Sequence, residues 1–190
     1  MTLYRYEMHC HCSECSKCAV STTRDTVRAY HAAGDAGLVL TDHFIFGNTS
    51  VSPDLPWEER VNCYYDAYLA GKEEGDQLDF DVLFGIEHAY EDGKEALIYG
   101  IDLDFLLQNP DIPNIFVREF AARIHAAGGF ISQAHPFRNM AYQQTPEILD
   151  GASHGSIFWG ITLPMHIGIA LALTALAGGV ALLLKKRSRP

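Results

Sequence analysis

Residues 8–19, MHCHCSECSKCA, bring two histidines and four cysteines together behind a short run of apolar and aromatic residues. Imidazoles and thiols are common ligands of borderline divalent metals such as zinc. Three arrangements could use them: a cysteine metal cluster, a set of disulfides, or a histidine site completed by residues further along the chain. Each arrangement needs different partners, so the rest of the sequence has to discriminate among them.

The cysteines favour free thiols over a cluster or disulfides. Cys12, Cys15 and Cys18 have the spacing that opens a bacterial ferredoxin site, but AVST follows where a fourth cysteine and a proline belong. A structural zinc site needs a second ligand pair, and His31 and His43 lack the paired spacing. The N-terminus has no basic segment followed by an apolar core, so we expect folding in the cytosol, where disulfides are rare.

His9 and His11 are separated by one residue at the end of a predicted strand, LYRYEM. Residues i and i+2 of a strand point to the same side, so the two imidazoles would lie together where the strand meets its loop. Taken alone, an H-x-H pattern often means only two exposed histidines near a terminus. The downstream sequence therefore has to supply further ligands.

The rest of the body alternates strands and helices. Apolar runs predict strands within 37–44, 79–87, 95–100 and 130–138, and helical spacing predicts helices within 22–33, 55–75 and 114–129, with Ser21 as N-cap of the first. Four strand ends carry metal-binding residue types: His9 with His11, His43, Glu87 and His135. In parallel α/β barrels such ends form one rim, where sites are built, so we expect one shared site.

These motifs resemble those of the PHP (polymerase and histidinol phosphatase) superfamily of metal-dependent phosphoesterases. The matching segments are HCH at 9–11, TDH at 41–43, GIE at 85–87 and HPFR at 135–138, in the family's order. The resemblance covers residues 3 to about 150. It implies an α/β fold, an incomplete distorted (β/α)7 barrel. It also implies an enzyme that hydrolyses phosphomonoesters, such as histidinol phosphate, and that uses two or three divalent ions of zinc, manganese or iron.

The same resemblance implies a role for each matched metal-binding residue. His9 and His11 would ligate one ion, and Glu87 would bridge two ions. His135 would hold the second ion and His43 a third. A site of this kind would activate a water molecule near neutral pH and bind phosphate oxygens.

Arg138 and Asp42 are the expected catalytic residues outside the ligand set. Arg138 would face the substrate phosphate with its guanidinium fork, and Asp42 would orient a metal ligand from behind. The chain has a formal net charge of −10, which disfavours nucleic acid as a partner. We therefore expect a small phosphorylated substrate, attracted by the metal ions rather than by the surface.

Four other residues match the family less closely. Cys18 lies one residue from a position that often supplies a ligand, so it is either a ligand or an ordinary thiol. Glu95 occupies a strand position where relatives often have His or Asp, and it is either a ligand or an exposed glutamate. Cys12 and Cys15 are not expected to be ligands.

The C-terminal segment differs in composition from the body. Residues 157–184 contain no Asp, Glu, Lys or Arg, and the basic tail at 185–190, KKRSRP, follows. This pattern predicts a membrane-spanning helix, with a buried core helix as the alternative. We therefore expect a domain over 1–150 that is cytoplasmic and anchored by its C-terminus, or a cell-wall sorting signal as the weaker alternative. The sequence gives no indication of oligomeric state.

The resemblance ends near residue 150, before the late D-x-H motif that completes the metal site in relatives. Two classes of function therefore remain open. The first is a PHP-type phosphatase with an impaired or complete site. The second is a truncated metal-binding remnant without catalysis, or a membrane-tethered binding protein.

Overall fold

The computed structural model describes residues 4–135, which fall within a unit spanning Met1–Gly155. The strands in this range are β1 (Tyr6–Cys10), β2 (Gly37–Phe44), β3 (Asp81–Tyr90), β4 (Lys94–Tyr99) and β5 (Phe130–Gln133). The α-helices are α1 (Thr23–Ala32), α2 (Trp57–Leu78), α3 (Leu103–Gln108) and α4 (Val117–Ala126). The predicted order of strands and helices is confirmed, and β3 and β4 follow each other without an α-helix between them, as the sequence indicated.

One mixed sheet contains the five strands in the order β1-β2-β3-β4-β5. Strands β1, β2 and β3 are parallel, whereas β4 is antiparallel to both β3 and β5. The expectation of parallel strands throughout is therefore wrong for β4. The reason is local: only the short turn Glu91–Gly93 joins β3 to β4, and a parallel connection needs a crossover of a dozen residues or more.

Strand β3 also continues past the point where the sequence predicted its end. We expected it to stop at Glu87, but it runs to Tyr90 because β4 pairs with its last residues, from His88 opposite Ala96 to Tyr90 opposite Lys94. The reversal of β4 places its first residues, including Glu95, at the sheet end where β3 finishes. A parallel β4 would have placed Glu95 at the opposite end.

Helix α1 illustrates how local sequence sets the element bounds. Its N-cap is Thr22 rather than Ser21, and the Thr22 hydroxyl accepts a hydrogen bond from the Asp25 backbone N–H. The helix ends as predicted before Gly34, which has φ of +85°, a conformation that favours glycine. This helix begins directly after the loop that carries Cys12, Cys15 and Cys18, so it fixes the C-terminal end of that loop.

The hydrophobic core lies between the helices and one face of the sheet. Buried residues on this face include Leu38, Leu40, Phe44, Val82, Ile86, Ile98 and Ile131. The ring of Phe44 contacts Trp57 and Tyr64 of α2, with centroids 6.0 and 5.0 Å away. Alternate residues of the same strands point to the other face.

Within residues 4–135, no helix has the length and apolar character needed to cross a membrane. The predicted span at 157–184, the basic tail and Arg138 lie outside the described residues. Membrane anchoring and the domain bounds at the C-terminus therefore stay predictions.

Candidate metal centre

Strand register brings the predicted ligands together at one end of the sheet. Parallel pairing of β2 with β3 sets His43 directly opposite Glu87. Antiparallel pairing of β3 with β4 sets Ala89 opposite Glu95, two residues further along β3. His135 follows β5, which pairs with β4 from Tyr99 to Ala96. Side chains from widely separated parts of the chain thus converge there.

The carboxylate of Glu87 is fully buried and has histidines at both of its oxygens. Its Oε1 lies 3.4 Å from Nε2 of His9 and 3.1 Å from Nε2 of His135. Its Oε2 lies 3.4 Å from Nε2 of His11 and 2.9 Å from Nδ1 of His43. The histidines therefore form two pairs, one at each oxygen of a single carboxylate.

Glu95 links these two pairs from the neighbouring strand. Its Oε1 lies 3.1 Å from Nδ1 of His43, and its Oε2 lies 3.2 Å from Nε2 of His135. The side chain is buried, so the alternative of an exposed glutamate is wrong. The antiparallel direction of β4, which the sequence did not predict, produces this placement of Glu95.

Two buried polar atoms at the centre of the cluster are close but do not bond to each other. Nδ1 of His43 and Oε2 of Glu87 lie 2.9 Å apart, yet neither has a hydrogen-bond partner among the described residues. Buried polar atoms normally have partners, because an unpaired buried group is costly. The candidate ligand atoms of His43, Glu87 and Glu95 also lie within 4.8 Å of one another, so the residues present fit a divalent metal ion.

The electrostatics of the cluster also favour positive charge. Burial alone would raise the pKa values of Glu87 and Glu95, but His135 and His43 outweigh it, lowering the pKa of Glu87 well below its usual range and that of Glu95 to about 2. Conversely, burial lowers the pKa of His43, but the two carboxylates outweigh it and raise the value to about 10. Contacts with the same carboxylates raise the pKa of His135 to about 9. A divalent cation would meet the same demand for positive charge.

Asp42 lies behind this cluster, on the loop side. Its Oδ1 accepts hydrogen bonds from the Cys12 backbone N–H and the Ser16 hydroxyl, each at 2.7 Å, and its Oδ2 accepts one from the Cys12 thiol. Oγ of Ser16 lies 3.3 Å from Nδ1 of His11. Among the described residues, Asp42 is thus linked to the predicted ligand His11 through the hydroxyl of Ser16, a residue that the sequence did not single out.

Thr41 is a second residue that sequence reasoning missed. Its Oγ1 lies 2.8 Å from Nδ1 of His9 and accepts a hydrogen bond from the Cys10 backbone N–H at 3.0 Å. It belongs to the TDH motif, in which the sequence predicted roles for Asp42 and His43 only. Within this motif, Thr41 contacts His9 directly and Asp42 contacts His11 through Ser16.

The cysteines form no disulfides, since all five are free thiols. The thiol of Cys18 and ring nitrogens of His11 and His43 lie within 4.8 Å of one another, as a metal ligand set would. Cys12, Cys15 and Asp42 form a second such group, which is entirely buried. Asp42 already accepts three hydrogen bonds there, two from Cys12 and one from Ser16.

The structure therefore gathers six of the predicted metal ligands and places Cys18 beside them. These six residues are His9, His11, His43, Glu87, Glu95 and His135. Their grouping differs from the one that the resemblance implies: His9 shares an oxygen of Glu87 with His135, and His11 shares the other with His43. Asp42 lies behind the ligands, and Arg138 lies outside the described residues.

Comparisons with known proteins give a likeness in fold. No family model matches the sequence, and no curated protein matches it significantly. The structure is similar to a two-domain protein from Bacteroides vulgatus that contains a predicted PHP-like metal-dependent phosphoesterase, with 15% identity and a TM-score of 0.58. That match covers 77% of this chain but only 39% of the other.

A protein from Bifidobacterium adolescentis, whose proposed activity is that of a metal-dependent phosphoesterase, also matches, with 15% identity and a TM-score of 0.38. This second match covers 73% of this chain and 70% of the other. The likeness to the Bacteroides protein shows a shared fold. The mixed sheet fits part of a PHP-type barrel, in agreement with the fold class that the motifs implied at this coarser level.

Proposed function

We propose that this chain is a metal-dependent phosphoesterase that hydrolyses a small phosphomonoester, with histidinol phosphate as one example of the class. The observation that carries the proposal is the buried carboxylate of Glu87 with a histidine pair at each oxygen. One carboxylate between two sets of nitrogen donors suits two neighbouring ions. The shared fold with a PHP-like structure supports the same class of chemistry.

Each donor group has a defined part in this proposal. His9 and His135 would hold one ion with Oε1 of Glu87, and His11 and His43 would hold another with Oε2. Glu95 contacts one histidine of each pair, so it would fix the spacing between the two halves. Mixed nitrogen and oxygen donors suit zinc, manganese or iron.

When bound, divalent ions would supply positive charge to phosphate oxygens and lower the pKa of a water molecule. The protein's own contribution is to orient the donors. Thr41 and Ser16 contact the far nitrogens of His9 and His11, which keeps the near nitrogens directed at Glu87. Arg138 would bind the phosphate as a guanidinium fork.

The test combines metal content with turnover. The full chain, purified without chelator, should contain at least one equivalent of zinc, manganese or iron and hydrolyse p-nitrophenyl phosphate. Glu87→Gln should lose both properties, since an amide cannot supply two anionic oxygens. Glu91→Gln, an exposed residue on the turn after β3, is the matched control and should retain both. Equal metal content in the two variants would contradict the proposal.

A second candidate is a metal-binding protein without turnover. It is favoured by the open sheet of residues 4–135, in which β1 and β5 each have one neighbouring strand. Metal bound in wild type and lost in Glu87→Gln, with no hydrolysis by either, would favour this candidate over the phosphoesterase.

A further inference from the structure

We propose that Ser16 is a positioning residue that holds His11 in the tautomer whose Nε2 has no hydrogen. This inference rests on the proposed metal site, because it concerns how one ligand is prepared for its ion. Ser16 is fully buried, and neither the motifs nor the fold comparison assigned it a role. Its hydroxyl touches three groups that together fix where its single hydrogen lies.

The first step is to locate the hydroxyl hydrogen of Ser16. Oγ of Ser16 lies 2.7 Å from Oδ1 of Asp42, and an ionised carboxylate can only accept hydrogen bonds. Ser16 therefore donates its hydrogen to Asp42. The two lone pairs of Oγ remain, and they can only accept.

The second step assigns those lone pairs. The backbone N–H of His43 donates to Oγ of Ser16 at 3.0 Å, which occupies one of them. The other faces Nδ1 of His11 at 3.3 Å. Since Oγ has no second hydrogen to give, Nδ1 of His11 has to be the donor and carry the hydrogen. The hydroxyl is then saturated, with one bond donated and two accepted.

The third step concerns the opposite side of the ring. A neutral imidazole with its hydrogen on Nδ1 has a bare Nε2. That nitrogen lies 3.4 Å from Oε2 of Glu87, an oxygen with no hydrogen bond among the described residues. Two acceptors facing each other in this way suit a cation between them. The other tautomer would direct a hydrogen into that space and block the ligand position.

The backbone around Ser16 is held in place by the loop after β2. The Lys17 N–H donates to the Asn48 carbonyl at 2.9 Å, and the Cys15 carbonyl accepts from the Ser50 N–H and the Thr49 hydroxyl, each also at 2.9 Å. Ser16 therefore cannot easily follow a movement of His11. This rigidity allows one hydroxyl to set the orientation of a ligand.

The experiment compares Ser16→Ala, Ser16→Thr and the control Ser13→Ala in the full chain. Ser13 is on the same loop, and its exposed hydroxyl donates a hydrogen bond to Glu14 rather than to any of the candidate ligands within residues 4–135. Long-range proton–nitrogen NMR on metal-free protein reports which ring nitrogen of His11 carries the hydrogen, with the signals identified by their absence in His11→Gln. A zinc titration on the same samples reports affinity.

Wild type, Ser13→Ala and Ser16→Thr should show the hydrogen of His11 on Nδ1. Ser16→Ala should show a mixture of tautomers and bind zinc about 10–100-fold more weakly at one site, as is usual for loss of a residue behind a metal ligand. Ser16→Cys, which keeps most of the volume and has only a weak donor, replaces the alanine variant if that variant does not fold.

A hydrogen on Nε2 of His11 in wild type, or an unchanged tautomer in both Ser16→Ala and Ser16→Cys, would overturn the inference whatever the metal content. Wild type that binds no zinc but shows the expected tautomers would support the role of Ser16 while the proposed function fails. The two hypotheses can thus be separated.

Discussion

The two faces of the sheet use the same strands for opposite purposes. Glu87 and His88 are neighbours on β3 and both are buried, but they point to opposite faces. Glu87 lies among histidines with close polar contacts, whereas the ring of His88 contacts Phe44 and Phe120, with centroids 6.2 and 4.9 Å away. One face therefore gathers charged donors, and the other packs against helices.

This difference shows how narrowly the strand register has to be specified. A shift of one residue in β3 would exchange the two faces, placing His88 among the candidate metal ligands and Glu87 among aromatic rings. The largely buried and mostly apolar face therefore fixes the geometry of the site on the other face. Damage to the packing face should lower stability, whereas damage to the site face should lower metal binding first.

The largest expected effect is on the packing face. Phe44→Ala should lower the free energy of unfolding by about 3–5 kcal/mol, because the buried ring would leave a cavity against Trp57 and Tyr64. Urea unfolding of metal-free protein measures this. Leu97→Ala, which replaces a half-buried leucine on the site face, is the control and should cost clearly less. Similar losses would mean that both faces contribute equally to the core.

The next largest effect is on the site face. Replacing His9 and His135 together by alanine should weaken metal binding by a factor of about 100 or more, because ligands matter at least as much as the groups behind them. The pair at Oε2 of Glu87 remains, so we expect elemental analysis to show one ion fewer rather than none. Complete loss of metal would argue for a single site shared by all the histidines. Unchanged metal content would exclude these two histidines as ligands.

Sequence motifs predicted which side chains lie close together more accurately than they predicted the sheet. The TDH and GIE motifs mark strand ends, so period-two alternation and chain order suffice to expect His43 near Glu87. The direction of β4 was not predictable from its composition. It depends on the short turn Glu91–Gly93, and the sequence-based assignment gave that segment no role. Glu95 therefore remained ambiguous until the pairing with β3 was known.

The pairing of histidines and the roles of Ser16 and Thr41 could not be derived from sequence either. Both roles depend on contacts between loops and strands that are distant in the chain, such as Ser16 with Asp42 and Thr41 with His9. Serine and threonine are common in loops for many reasons, so their type carries little information. Only the three-dimensional arrangement shows that their hydroxyls contact the ring nitrogens of His9 and His11 that point away from Glu87.

A smaller effect should appear on the packing face at low pH. Burial lowers the pKa of His88 to about 4, so between about pH 6.5 and 4 the unfolded chain binds a proton that the folded chain does not. Folded stability should therefore fall as pH decreases through this range. His88→Phe removes that proton uptake while retaining a ring. The difference in free energy of unfolding between His88→Phe and wild type should therefore shift by about 1–2 kcal/mol in favour of the variant from pH 7 to pH 5.

Urea unfolding of metal-free samples at both pH values provides this measurement. The same substitution should leave metal content at pH 7 unchanged, because His88 points away from the ligands. A pH dependence that is equal in wild type and His88→Phe would show that other groups control acid stability. Loss of metal in His88→Phe would show that the two faces are not independent.

The smallest expected effect tests how tightly the site face is fitted around His43. A methyl group on Gly47 would lie 3.1 Å from Nδ1 of His43, the atom that faces Glu87 and Glu95, and 3.2 Å from its Cβ. Those distances are too short for an unstrained contact, so the imidazole has to move by a few tenths of an ångström. Gly47→Ala should therefore weaken metal binding by about tenfold or less, which corresponds to about 1.4 kcal/mol or less.

Zinc titration of Gly47→Ala beside wild type measures this shift, and urea unfolding of the metal-free forms shows whether the fold is affected as well. We expect the titration to change more than the unfolding curve, because the added methyl group presses on a ligand rather than on the helix-facing core. A drop in stability without a change in zinc affinity would mean that the loop moves instead of His43. In that case His43 would be held more firmly by its two carboxylates than by the backbone beside it.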